Sequence, residues 1–138
     1  MITLEVATKI VHAAFREGAQ RGVVNMSVVI TDPGGHIRVA MRADGQGIFG
    51  VETAKGKAVT ALGFNRSTLK MKDAFDASAT AAITAATGGR FVPLGGGIVI
   101  QDADARTIGA AGVSGGLPAI DDEIIIAAVE AIGLRVLR

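Results

Sequence analysis

Cysteine, tryptophan and tyrosine are all missing from this 138-residue chain. Without cysteine there is no disulfide, no thiolate nucleophile and no thiolate metal cage, and the sequence carries no mark of an oxidising or reducing compartment. Five phenylalanines make up the whole aromatic content, which serves base stacking poorly. An excess of one charge is also missing: the formal net charge is +1, so the basic footprint that binds nucleic-acid phosphates or an anionic membrane is lacking. No apolar run is suited to spanning a bilayer; Ala77–Gly89 is free of charge but short and broken up by Thr and Gly. The N-terminal stretch carries Glu5 and Lys9 within an apolar pattern, the mark of an amphipathic helix and not of a signal peptide. The expectation is a soluble, cytoplasmic protein that binds neither nucleic acid nor membrane.

What is present is apolar mass in small pieces. Hydrophobic residues are 49% of the chain and aromatics 4%, with 19 glycines. A core must therefore be built from Ala, Val and Ile brought together by close backbone approach. The length suits one domain, 1–138, burying about 70% of the surface of its unfolded chain. Surplus apolar surface points to a homo-oligomer.

Thr3 to about Arg21 reads as a helix, with Thr3 as N-cap, Gly22 closing it, and Leu4, Ala7, Ile10, Val11, Ala14 and Phe15 as its apolar stripe. His12 falls on the polar side of that helix, as a solvated histidine. The β-branched runs Met26–Thr31 and His36–Arg42 flank Asp32-Pro33-Gly34-Gly35, a turn in which the Asp32 carboxylate accepts backbone amides; together they predict a hairpin. His36 opens the second strand, either as an exposed edge residue or facing a ligand. Arg42 and Asp44 stand in the polar loop after it, where the arginine either forks onto a ligand carboxylate or pairs with Asp44. Val51–Phe64 is helical again. Lys57 has only Thr53, Ala54, Thr60 and Ala61 around it at helical spacing, so its ammonium either reaches over a niche or is solvated. Ser67 is placed to cap a short helix through Phe75, and Asp76 to cap Ala77–Thr87, whose Ala/Thr content suits a flat partner, the sheet or another subunit.

The stretch Gly95–Asp122 organises the rest. It holds a second hairpin, Ile98–Gln101 and Thr107–Val113 across Asp102–Ala105, then the small-residue loop Ser114-Gly115-Gly116 before a helix with Pro118 in its first turn. Gly109 and Gly112 inside a strand mark a bulge or the close approach of another backbone or a ligand. Asp121 lies near the helix start, where a carboxylate either balances the helix dipole or serves a ligand. That helix runs on to a basic end at Arg135 and Arg138. Asp102 and Asp104 lack the glycine and glutamate of a calcium loop and read as a solvated turn, so no metal site is expected. None of the glycine runs is a nucleotide loop, since no Gly-Lys-Ser/Thr follows. Helix, hairpin, helices, hairpin, helix gives an α+β layering around an antiparallel sheet with both faces covered.

In order and spacing, several pieces together resemble a known family, the GlcG/HbpS-like domain also found at the C-terminus of PduO-type cobalamin adenosyltransferases. The pieces are Val29–Gly35, Arg42–Gly45, Lys57–Ala61, Gly109–Gly116 and Asp121, and they span essentially the whole chain. The resemblance implies a central five-stranded antiparallel sheet flanked by helices, of the profilin/PAS-like kind, and an oligomeric protein. It also implies a haem-binding or haem-degrading branch, and other members beside genes of organic-acid or diol catabolism. Carried over, Arg42, Asp44, Lys57, Ser114, Gly115 and Asp121 are the shared motif positions, expected to line one pocket.

Three readings of function are compatible with these residues. In the first, the protein binds haem or a small organic acid without turnover. Of the side chains that usually ligate haem iron, only His12, His36 and a few methionines are present, and His36 is the cofactor-binding candidate. In the second, it is a cofactor-independent isomerase, tautomerase or hydro-lyase acting on a small carboxylate. Arg42 and Asp44 then hold the substrate, Lys57 and Asp121 are the catalytic proton carriers, and the Ser114-Gly115-Gly116 backbone stabilises an oxyanion. In the third, it is an oligomeric accessory protein. The first ranks ahead of the second.

Overall fold

Five antiparallel strands form one sheet in the order β2-β1-β4-β3-β5, with β1 Ser27–Thr31, β2 Ile37–Arg42, β3 Gly97–Gln101, β4 Thr107–Ser114 and β5 Arg135–Val136. The two predicted hairpins lie side by side, joined through β1 and β4. Four α-helices complete the chain: α1 Leu4–Gln20, α2 Gly50–Phe64, α3 Ala77–Ala86 and α4 Pro118–Ala131. The structure is a computed structural model that describes residues 1–138. Its architecture is the expected α+β one, a five-stranded antiparallel sheet between helices. No helix is long and apolar enough to cross a membrane.

Side chains alternate across a strand, so each strand feeds both faces of the sheet. Val28 and Ile30 of β1, Ile98 and Ile100 of β3, and Ala111 and Val113 of β4 join Ala7, Ile10, Val11, Ile124, Ile125 and Ala128 in one apolar core beneath α1 and α4. The intervening residues of the same strands face α2. The expected N-cap of α1 forms, with Thr3 Oγ1 accepting from the Val6 amide at 3.2 Å. Asp76 likewise caps α3, its Oδ1 accepting from Ala79 N at 2.8 Å.

Elsewhere the chain departs from the sequence reading. Strand β2 is exposed along nearly its whole length, because it is the edge of the sheet and carries Arg38 and Arg42, which keep such an edge soluble. The segment after Ser67 is a single 3-10 turn, Thr68–Met71, and the Ser67 hydroxyl donates across the fold to Asp122 Oδ1 at 3.1 Å instead of capping it. Helix α4 ends at Ala131; Gly133 takes a φ of +83° and turns the chain into β5 beside β3. Helix α3 buries no residue at all and lies on no face of the sheet.

Candidate functional site

Chemistry gathers on the α2 side of the sheet because the helix lies unusually close to it. Gly97 and Gly112 oppose each other in the β3–β4 register. A Cβ on Gly112 would run into the Ala54 carbonyl oxygen, and one on Gly97 into that of Lys57. Helix backbone therefore rests on strand backbone, which is the close approach that glycine in this strand foretold.

This contact carries Lys57 into the interior. Its Nζ donates to the Val113 carbonyl at 2.7 Å and to Asp121 Oδ2 at 3.2 Å. Asp121 Oδ1 in turn accepts from the Gly116 amide at 2.9 Å. The side chains are 4% and 1% exposed. Burial pushes the Lys57 ammonium below its ordinary range, against the attraction of Asp121. It pushes the Asp121 carboxyl up, against Lys57 and the Gly116 amide. The proton affinities of the two groups are thus drawn together, as proton transfer would need, yet neither side chain lines any of the cavities. In this arrangement the pair fastens α2 to the end of β4 and the start of α4.

The remaining sequence-predicted residues are spread around that pair. Ser114 is buried, donates to the Gly50 carbonyl at 2.7 Å, and lines a cavity of about 200 Å³ at the start of α2. Arg42 is exposed and its Nη1 donates to the Gln46 carbonyl at 3.2 Å. Asp44 is exposed and makes no ion pair, so the Arg42–Asp44 contact does not form. Gly115 is exposed at a φ of +138°, and the Gly116 amide is committed to Asp121. The six motif residues do not line one pocket; Lys57 and Asp121 meet, and Arg42 and Ser114 stand near the α2 start.

His36 lies apart from all of these, on the Asp32 turn. Asp32 Oδ1 accepts from the amides of Gly34 and His36 at 2.9 and 3.0 Å, the turn expected from the sequence. The same oxygen lies 3.3 Å from His36 Nδ1, while the ring stays 82% exposed. The His36 amide, followed by that of Gly34, holds the Asp32 carboxyl below its usual range. Beside this turn is an open groove of about 310 Å³, whose walls include Gly34, Gly35, Val59, Phe64, Arg90 and Phe91. Phe64 and Phe91 meet at a tilt of 50°, 5.6 Å between ring centroids, and Phe75 packs edge-on against both at 5.3 Å. Three of the five phenylalanines thus meet at one place, which their positions at 64, 75 and 91 did not reveal.

A family model described as haem degrading protein HbpS-like matches residues 2–130. The chain belongs to the HbpS-like family. Among solved structures, a PduOC:heme complex is 26% identical, with a TM-score of 0.87 and coverage of 99% of each chain. A doubly substituted HbpS of Streptomyces reticuli is 28% identical at a TM-score of 0.79, covering 96% of this chain and 87% of that one. Protein ORFY of Klebsiella pneumoniae, at 23% identity and a TM-score of 0.84, covers 94% of this chain and 88% of that one and shares the fold. No curated protein matches the chain.

Proposed function

We propose that this HbpS-like protein binds haem, in the open groove beside His36. The observation that carries the reading is the groove itself, with an aromatic wall and an arginine, and with an imidazole next to one of its lining glycines. A Cβ on Gly34 would come within 3.0 Å of His36 Cε1 and Nδ1, so the ring lies against the glycine that lines the groove. Asp32, kept ionised, sits opposite Nδ1. A carboxylate there favours the tautomer with the proton on Nδ1 and leaves the Nε2 lone pair for a metal, the arrangement common to metal-binding histidines. Phe64, 38% exposed, offers apolar area to a porphyrin, and buried Phe91 backs it. Arg90 spends its Nε on the Thr87 carbonyl at 2.9 Å and keeps both Nη nitrogens for a propionate. The residues present therefore fit the group. Bound haem would supply a redox-active iron; the chain's own part is to ligate, to stack and to neutralise.

At about 310 Å³ the groove is at the small end for an organic ligand, so one chain covers only part of a porphyrin. The reading includes the homo-oligomer expected from composition, and α3, an uncharged helix with no buried residue, is the surface available for it. Light scattering on the protein and on Ala81→Glu tests that part.

Haemin titration followed at the Soret band tests the whole. A saturable one-to-one shift, lost in His36→Ala, kept in His12→Ala and weakened several-fold in Arg90→Ala, is the expected result. A shift indifferent to His36 would remove it as ligand, and no shift at all would end the haem reading for this chain. The proton-transfer reading ranks second: it needs substrate at Lys57 Nζ, which is sealed.

A further inference from the structure

A third cavity, of about 290 Å³, shares no lining residue with the groove beside the Asp32 turn or with the cavity at the start of α2. Three segments distant in sequence build it: the 3-10 turn Thr68–Met71, the loop through Pro93 and Leu94, and the first turn of α4. Buried Thr68 and Met71 hold the turn down, with Thr68 Oγ1 accepting from the Gly97 amide at 2.8 Å, and Leu69 between them is left half-buried at the cavity. The three segments meet at Gly95. A Cβ there would come 2.6 Å from the Pro118 carbonyl oxygen and 2.7 Å from Leu69 Cδ1, so glycine is what lets the loop close against both.

The side chains around it are almost all apolar: Leu69, Pro93, Leu94, Leu117, Pro118 and Ala119. Leu94 and Leu117 remain 50% and 73% exposed. A single exposed leucine is ordinary, but two that line one cavity form an uncovered patch. Two of the chain's three prolines stand in the wall, and their fixed φ sets it before any ligand arrives. One charged residue lines the cavity, Lys72. It is exposed and forms no ion pair, not even with Asp73 beside it.

An apolar cavity beside one unpaired ammonium is complementary to an amphiphile. A hydrocarbon body displaces water from the leucines and prolines, and a negative head stays at the lysine. No aromatic residue lines the wall, so nothing there selects a ring by stacking. At about 30 Å³ for a water-sized group, the volume takes about ten non-hydrogen atoms, the size of an eight-carbon acid. We propose that this cavity binds a medium-chain carboxylate, its chain among Leu69, Leu94 and Leu117 and its carboxylate at Lys72. The site is independent of the haem reading.

Octanoate is the probe, titrated into the whole protein by calorimetry and located by the leucine methyl signals in NMR. The expected result is saturable one-to-one binding with shifts at Leu69, Leu94 and Leu117. Butyrate should bind about a hundredfold more weakly, for want of four buried methylenes. Octylammonium should bind about tenfold more weakly, its charge being of the wrong sign. Lys72→Met should weaken octanoate about threefold, as fits an exposed ion pair, and leave 1-octanol unchanged. Ala119→Trp, at an exposed position, should plug the cavity and abolish binding of both. Leu117→Ser should weaken both several-fold and serves if Ala119→Trp fails to fold. Saturating haemin should leave the octanoate affinity unchanged. No saturable binding, equal affinity for octanoate and octylammonium, or competition with haemin would each overturn the proposal. Loss of self-association in Ala119→Trp, with no octanoate bound by the parent, would place a second copy of the chain in the cavity and overturn it too.

Discussion

The two faces of the sheet draw on the same three central strands and are built in opposite ways. Towards α1 and α4 the strands present Val28, Ile30, Ile98, Ile100, Ala111 and Val113, and the contact is hydrocarbon throughout. Towards α2 the neighbouring residues are Ser27, Thr31, Gly97, Gly112 and Ser114, beside Val29, Val99 and Ala110, and the helix answers with Ala54, Lys57 and Ala58. Full burial of an isoleucine contributes about 1.5–3 kcal/mol. A hydrogen bond nets about 0.5–1.5 kcal/mol, and a buried charge can cost more than its partner returns. One face therefore supplies most of the stability, and the other can hold polar groups that stability alone would not select. Two cavities border α2, at its start and along its second half.

Breaking the α2 face at its charged centre should have the largest effect. Lys57→Met leaves Asp121 buried without a counter-ion and is expected to cost about 3–5 kcal/mol in chemical denaturation at neutral pH. The cost should depend on pH in a defined direction. Burial already holds the Asp121 carboxyl above its usual range, and loss of the ammonium raises it further. A group raised in the folded state stabilises the fold below its unfolded pKa and loses that contribution as pH rises through the folded pKa. The deficit of Lys57→Met should accordingly shrink on acidification towards the ordinary aspartate range. Lys57→Met with Asp121→Leu should recover most of it at neutral pH. A single variant as stable as the parent would show that the pair does not brace α2.

On the hydrocarbon face, Ile30→Ala should cost about 2–5 kcal/mol from lost burial and the cavity left behind. Because no charge is involved, the loss should be the same at pH 5 and pH 8 (roughly, within measurement error). The contrast in pH dependence, more than in size, separates the two faces. A third substitution probes how close α2 lies: Gly112→Ala drives a methyl into the Ala54 carbonyl. Overpacking of this kind costs about 1–3 kcal/mol, and it should also disturb both cavities by lifting the helix.

How much of this was legible depended on whether the cause was local. The caps at Thr3 and Asp76, the Asp32 turn and the glycine in β4 each follow from a few adjacent residues, and each forms as the sequence indicated. Lys57 was singled out by its small neighbours, and its burial follows from them. Its partner could be guessed only from family resemblance, since 64 residues separate it from Asp121. The alignment of Arg42, Ser27 and Ser114 across three strands is a matter of strand register, and the Phe64–Phe75–Phe91 cluster of how loops fold back. Neither has a sequence period. Strand β5 escaped because two residues after a glycine give no pattern, and only the edge of β3 makes them a strand.

The smallest effect expected lies in α3, which belongs to neither face. Its sequence is as alanine-rich as the buried stripe of α2, yet none of its residues is buried. Composition suited it to a flat partner, and within one chain it has none. Asp76→Ala removes the bond from Ala79 N, which helix caps make worth about 1 kcal/mol to the helix they start. Because α3 contributes no buried surface, that loss should appear in local opening and hardly at all in global unfolding. Hydrogen exchange should speed up at the first amides of α3 while the β1 and β4 amides keep their protection, and the denaturation midpoint should move little. If the midpoint instead falls by the full value of the cap, α3 folds as one unit with the sheet. If it falls only at concentrations where copies associate, the missing flat partner is a second chain.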